Sequence, residues 1–511
     1  MKTLKLIFQR DNSIAQVNPA LLGSFVEHLG RAVYSGIYEP GHATADENGF
    51  RMDVAKLVQE LGVTAVRYPG GNFVSGYNWQ DGIGPKDRRP VRLDYAWLTK
   101  ETNEFGINEF ATWCEKLNLR PMIAVNLGTG TPQDAGYFIE YCNLPGGTAF
   151  SDLRRQHGRE APYDFKLWCL GNEMDGEWQT CALNAADYVK KARETAKIMR
   201  WVDPSVELVA CGSSNSMQKT FPEWDRIVLE GLYDQVDYLS CHHYFENRTG
   251  VTRDYLASCV QMDNFIKTII ATADYVKART RSTKDMMISF DEWNIWSLDG
   301  DPWQNYFSGG KNRFNVAPPV LEQSYTLLDA LVFGGLMCTL LNHSDRVRMA
   351  SLAQLVNVIA PIFTLPGGGV IRQTIFWPFR MVSQHAHGTV LKQFATVPQI
   401  DTCYGAANIV QTTMVYDAAK NEIAFFALNM EEKLPVEVCL ELHDFGATVL
   451  QKHISLQGEN LMARNSFESP EEVVPNSVQL SPEQVARNKV LLPPLSFNMV
   501  IIRTAPFNSA V

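Results

Sequence analysis

Between about residues 18 and 380 the chain alternates short apolar runs with amphipathic helical stretches, and this rhythm restricts its fold more than any other feature. The runs are Leu21–His28, Ala65–Pro69, Met122–Gly128, Phe165–Glu173, Val206–Ser213, Tyr238–Tyr244, Met286–Asn294 and Met337–Ser344. Helix candidates between them include Asp53–Leu61, Ile107–Leu117, Ala185–Val202 and Tyr255–Arg279. In Ala185–Val202 the apolar residues recur at helical spacing, with Lys and Arg on the other face. Near-continuous apolar strands joined by helices indicate a parallel sheet covered on both faces. Eight such repeats in about 360 residues predict a (β/α)8 TIM barrel of the α/β class. An open doubly wound sheet is the alternative, but no Gly-rich phosphate turn follows the first strand.

After about residue 385 the helical period fades. Thr413–Tyr416, Glu422–Asn429, Val436–Leu442 and Ser496–Arg503 are short alternating segments separated by turn residues. They predict a C-terminal antiparallel β-sandwich, jelly-roll-like. The strand-like residues 3–9 have no place in the barrel pattern, so they are expected to join that sandwich. The expected division is 18–384 for the barrel, and 1–17 with 385–511 for the sandwich.

The formal net charge is −10 and no run of Lys or Arg forms a stripe. A nucleic-acid or membrane partner is therefore not expected, and a neutral substrate such as a sugar fits better. The apolar stretch at the N-terminus is too short for a signal peptide. The ten cysteines show no CxxC spacing, and Cys169, Cys211, Cys241 and Cys338 lie in apolar runs. They are expected to be reduced and buried, which points to the cytoplasm.

In barrel enzymes the chemistry sits at the C-terminal strand ends. Here those ends carry Glu27-His28, Arg67 to Asn72, Asn126, Asn172-Glu173, His242-His243-Tyr244, Asp291 to Asn294 and, on the expected eighth strand, Asn342-His343. Two glutamates stand out. Glu173 lies in Phe165-Lys-Leu-Trp-Cys-Leu-Gly-Asn-Glu-Met-Asp-Gly176, and Glu292 in Met286-Met-Ile-Ser-Phe-Asp-Glu-Trp-Asn-Ile-Trp296. Placed on the fourth and seventh strands, they would face one another across the barrel mouth, at roughly the 5 Å of a retaining glycosidase pair. One carboxylate attacks the anomeric carbon; the other protonates the leaving oxygen and then activates water. Arg67 is the candidate for keeping the attacking group ionised. The histidines show no HExxH or comparable spacing, so no metal is expected. Gly70-Gly71 and Gly367-Gly-Gly369 lack the Lys-Ser/Thr of a phosphate loop.

The segments Gly23-Ser-Phe-Val-Glu-His-Leu-Gly30, Arg67-Tyr-Pro-Gly-Gly-Asn-Phe-Val-Ser-Gly-Tyr-Asn-Trp79, Gly171-Asn-Glu-Met-Asp-Gly176 and Asp291-Glu-Trp-Asn294 resemble the α-L-arabinofuranosidases of glycoside hydrolase family 51. The resemblance extends through Ala353-Gln-Leu-Val-Asn-Val-Ile-Ala360 and Gln373-Thr-Ile-Phe376 to Pro493-Pro-Leu-Ser-Phe497. It implies a barrel with a β-sandwich and cleavage with retention, with Glu173 as acid/base and Glu292 as nucleophile. It also implies that Glu27, Asn72 and Asn172 hydrogen-bond the furanose hydroxyls. Tyr244 would contact the nucleophile, His242 would lie near the acid/base, Gln354 would touch the sugar and Trp296 would wall the pocket. One departure is visible: where the family commonly shows Gln-Tyr-Tyr after His242, this chain has His243-Tyr244-Phe245.

The expected activity is a retaining, exo-acting α-L-arabinofuranosidase that releases terminal arabinofuranose from arabino-oligosaccharides, arabinan or arabinoxylan fragments without a cofactor. A β-xylosidase or endo-β-glucanase on the same scaffold is the alternative, with pocket depth set by the loops Trp79–Asn103 and Ser297–Pro319. A non-catalytic sugar-binding barrel is the remote one. The resemblance further implies a homo-oligomer, often a hexamer.

Overall fold

The computed structural model of the chain describes residues 2–297, 314–395 and 397–505. The expectation placed on the loop Ser297–Pro319 therefore falls mostly outside the described residues. The first strand, β1 (Lys2–Gln16), precedes the barrel. Eight further strands close it: β2 (Gly23–Phe25), β3 (Ala65–Tyr68), β4 (Arg120–Val125), β5 (Leu167–Leu170), β6 (Glu207–Ala210), β7 (Tyr238–Phe245), β8 (Met287–Ile295) and β9 (Val347–Leu352). Each pairs in parallel with the next, and β9 pairs back onto β2. All four residues of β3 and of β5 are buried, which is why these strands read as apolar runs rather than alternating ones.

The covering helices follow their sequence signals closely. Helix α1 (Ile107–Leu117) ends where Asn118 takes the left-handed conformation, φ 55°. Helix α2 (Ala185–Val202) starts at Asn184, whose side chain accepts the Asp187 backbone N–H at 3.0 Å.

The eighth strand departs from expectation. The run Met337–Ser344 is not a strand; it lies in and just beyond helix α3 (Leu327–Asn342), and the strand that closes the barrel is β9. The cause is burial on every side: α3 is sandwiched between barrel and C-terminal sheet, so it shows no polar face and no helical period. Asn342 and His343 therefore sit away from the barrel mouth, where His343 Nε2 lies 2.7 Å from Asp263.

The C-terminal part forms one nine-stranded sheet. Its strands are β10 (Thr389–Phe394), β11 (Val410–Asp417), β12 (Glu422–Asn429), β13 (Val436–His443), β14 (Thr448–Leu456), β15 (Asn476–Ser477), β16 (Lys489–Leu492), β17 (Ser496–Thr504) and β1, in the order β15-β14-β17-β12-β11-β10-β1-β13-β16. Most pairs are antiparallel; β1 runs antiparallel to β10 and parallel to β13. The period-2 alternation of β12 divides its side chains between two cores. Ile423, Phe425 and Ala427 join Leu4, Leu6 and Phe8 of β1 inside the folded sheet. Ala424, Phe426 and Leu428 face the other way and merge with the barrel core. The sheet comes close to α3 because that helix has glycines at the contact. A Cβ on Gly334 would lie 2.4 Å from the Phe497 ring, and one on Gly335 would lie 2.7 Å from Leu428.

Candidate active site

Two local devices bring the key carboxylates to the barrel mouth. Past β5, Gly171 (φ 86°) and Glu173 (φ 42°) take the left-handed region, and the chain turns sharply there. For Glu173 that conformation stores strain of order 1–3 kcal/mol, the kind of cost that gathers at functional sites. In β8 the pairing register to β7 shifts between Ser289 and Glu292. Consecutive residues of a regular strand point to opposite faces. The shift lets Asp291 and Glu292 both reach groups at the mouth.

Glu292 Oε1 accepts from Arg67 Nη1 at 2.6 Å, and its Oε2 accepts from the Tyr244 hydroxyl at 3.0 Å. Glu173 Oε2 accepts from the Trp178 indole N–H at 2.7 Å, and its Oε1 lies 2.9 Å from His242 Nδ1. One oxygen of Glu173, one of Glu292 and a ring nitrogen of His242 lie within 4.8 Å of one another. His242 also touches Asp291 through Nε2 at 3.2 Å. Arg67 Nη2 donates to Asn172 at 2.6 Å, and Asn172 Nδ2 donates to Asn72 at 3.5 Å. The guanidinium rests on the Phe25 ring, 4.9 Å from its centre.

Glu27 does not pair with Arg67. It accepts three N–H groups: Phe73 N and Trp97 Nε1, both at 2.9 Å, and Gln354 Nε2 at 3.2 Å. Trp296 packs edge-on against Tyr244 with ring centres 5.3 Å apart. A cavity of about 440 Å³ opens here, lined by Glu27, Asn72, Glu173, Tyr244, Glu292, Trp296 and Gln354. Arg67, Asn172 and His242 are buried behind the carboxylates.

Three buried carboxylates (Glu173, Asp291, Glu292) face two cations (Arg67, His242), and the buried Glu27 adds a fourth whose nearest charge is Glu292. That imbalance favours keeping a proton in the cluster. Burial pushes Glu27 up to about 8, with the charge of Glu292 adding to it, while its N–H donors pull the other way. Burial also raises Glu292, opposed by His242 and Arg67. Burial alone would lower His242, but Glu292, Asp291 and Glu173 together raise it to about 10. Asp291 stays low despite its burial because Arg67 and His242 face it. The spacing of Glu173, His242 and Glu292 could also chelate a cation, the one such group among the described residues. A protonated imidazole has no lone pair to give one.

The structure gathers every predicted site residue around this cavity or directly behind it. Sequence reading did not select Asp291 or Trp97 for the site. Asp291 was visible only as a neighbour of Glu292, and strand alternation would have turned it outward. Trp97 comes from a loop with no periodic signal. The wall also includes Trp178, Asn215, Met217 and Arg248. At the departure, the His243 ring packs against Phe245 and Phe265, with centres 4.6 and 5.6 Å away, and His243 also reaches the cavity wall.

A closed parallel barrel with two carboxylates this close at its C-terminal strand ends is the machinery of a glycoside hydrolase. Comparison with known proteins narrows the class. Residues 57–280 match the model of the α-L-arabinofuranosidase 1 domain, and residues 291–496 match that of the α-L-arabinofuranosidase C-terminal domain. An intracellular exo-α-(1→5)-L-arabinofuranosidase of Acetivibrio thermocellus is 45% identical over 98% of this chain and 99% of its own. An exo-α-(1→6)-L-arabinofuranosidase of Bifidobacterium longum is 46% identical over 98% and 97%. The solved family 51 α-L-arabinofuranosidase of Bifidobacterium longum superposes with a TM-score of 0.93 at 41% identity, covering 98% of this chain and all of that one. The chain belongs to the α-L-arabinofuranosidases of glycoside hydrolase family 51.

Proposed function

We propose that the protein removes terminal non-reducing α-L-arabinofuranosyl units from arabino-oligosaccharides by double displacement, with Glu292 as nucleophile and Glu173 as acid/base. The carrying observation is the approach of the two carboxylates to within 4.8 Å, which suits retention; inverting pairs stand about 6.5–9.5 Å apart to admit a water. Glu292 has the guanidinium and the phenol against it, as a carboxylate that must stay ionised requires. Glu173 has no guanidinium and opens to the cavity. In the first step Glu173 gives its proton to the leaving oxygen while Glu292 bonds to the anomeric carbon. In the second, water attacks that carbon, its proton passes to Glu173, and Glu292 leaves. Glu27, Asn72, Asn172 and Gln354 are the proposed partners of the ring hydroxyls, and Trp296 the apolar wall.

The proposed substrates carry α-(1→5) linkages, the linkage named for the relatives in Acetivibrio thermocellus and Bacillus subtilis. The proposed compartment is the cytoplasm: those relatives are named intracellular, and all ten cysteines are free thiols. Among the described residues no helix is long and apolar enough to cross a membrane. A hexameric homo-oligomer is also proposed; Val91, Leu93 and Tyr95 leave an apolar stretch exposed near the rim. Sedimentation of the purified chain tests the assembly.

The decisive experiment is Glu292→Ala against 4-nitrophenyl α-L-arabinofuranoside. Release of 4-nitrophenol should vanish, and normal release would refute the assignment. Hydrolysis of α-(1→5)-arabinobiose measured beside an α-(1→6)-arabinofuranosyl oligosaccharide tests the linkage.

A further inference from the structure

We propose that Asp291 is a positioning residue for the acid–base step, acting through His242 to orient Glu173 and to stabilise its carboxylate once the proton has left. The inference rests on the reading of Glu173 as acid/base. Asp291 is 1% exposed and does not line the cavity, so any effect on the reaction passes through its neighbours. Its Oδ1 meets His242 Nε2 at 3.2 Å and accepts the Ser240 hydroxyl; its Oδ2 faces Arg67 Nε at 3.6 Å and the Cys169 thiol at 3.7 Å. On its far side His242 places Nδ1 2.9 Å from Glu173 and 3.6 Å from Glu292. Both ring nitrogens thus sit against carboxylate oxygens. Asp291 is ionised and only accepts, so Nε2 carries a hydrogen; Nδ1 carries one for the oxygen of Glu173 that bears no proton, and the ring is a cation.

The result is a chain, Asp291–His242–Glu173, that runs from the barrel interior to the cavity. When Glu173 has given its proton to the leaving oxygen, the Nδ1–H of His242 stabilises the carboxylate left behind. When Glu173 takes the proton of the attacking water, the negative charge of Asp291 keeps the imidazole from losing its own. No proton enters or leaves the chain except through Glu173. The charged or titratable groups facing Asp291 and His242 are Arg67 from β3, Cys169, Glu173 and Asp175 from β5 and its following loop, Cys211 just past β6, Cys241 from β7 and Glu292 from β8. Of these, only Glu173 and Glu292 border the cavity.

Asp291→Asn tests this, because it keeps the shape and removes the charge. Acid–base catalysis is worth about 10²–10⁴-fold, so kcat/KM on α-(1→5)-arabinobiose should fall by roughly that factor. With 4-nitrophenyl α-L-arabinofuranoside, whose leaving group needs little protonation, the loss should be smaller and should fall on the second step. Azide should then restore kcat by attacking the glycosyl-enzyme, displacing Glu292 and yielding arabinofuranosyl azide. The basic limb of the kcat/KM profile should move down by about one pH unit, since the His242 cation loses a negative charge that holds its proton. Equal losses on both substrates, no azide response and an unmoved basic limb would overturn the proposal and leave Asp291 a mere partner of Arg67. If Asp291→Asn does not fold, His242→Gln must show the same difference between the two substrates and the same azide response, and their absence overturns it equally. Glu173→Ala is the control. Azide rescue there without rescue in Asp291→Asn sinks this inference alone, whereas no rescue in Glu173→Ala sinks the acid/base assignment itself.

Discussion

Arg67 shows how much one buried side chain organises here. Its guanidinium reaches Glu292, Asn172 and Asp291 at once, and its planar fork is what allows that. Arg67→Lys keeps the charge but not the fork, so kcat should drop at least about tenfold while the protein still folds. Arg67→Ala leaves buried carboxylates uncompensated and should destabilise by about 3–5 kcal/mol; thermal melting and assay of the two variants together check both statements. Glu27 sets a pH dependence of the opposite kind. Its carboxyl is raised to about 8 in the fold, above its ordinary 4.5. A raised carboxyl contributes stability that is complete below the unfolded value and is lost as pH rises through the folded one. The melting temperature should therefore fall as pH rises from the ordinary 4.5 to about 8 and level off above that, and Glu27→Gln should flatten that fall while weakening substrate binding. Residues such as Glu173, Glu292 and Arg67 were legible because polar groups after apolar strands have little packing role. Asp291 and Trp97 were not, since a strand register shift and an aperiodic loop place them.

At the level of elements, legibility followed amphipathicity. Helix α2 shows one apolar face and a polar N-cap, and its limits could be read directly. Helix α3 shows neither, and part of it passed for the eighth strand; an apolar stretch buried on all sides carries no period to separate helix from strand. Its two glycines lower helix propensity by about 1 kcal/mol each relative to alanine. They persist where the Phe497 ring and Leu428 close in. Gly334→Ala should therefore destabilise by about 1–2 kcal/mol, because overpacking against Phe497 outweighs the gain in helix propensity. A lower denaturation midpoint would show this, and a higher one would mean that the ring moves aside freely.

Across the whole molecule, β1 ties the two ends of the sequence together. It sits between β10 and β13 and contributes Leu4, Leu6 and Phe8 to the sheet's inner core. Removing residues 2–16 would cut β13 and β16 off from the other six strands and expose the sheet's apolar interior. The expected outcome is aggregated protein on expression, read by size-exclusion chromatography. The same test applies to the proposed barrel unit, residues 18–384, produced alone: it should not be soluble, because the outer face of β12 fills part of its core. Domains joined by exposed linkers that few contacts cross can be exchanged like attachments. Here the sheet is welded on. A chimera that imports a foreign C-terminal half must bring a matching α3 with it, since Gly334 and Phe497, like Gly335 and Leu428, are shaped for one another across the joint.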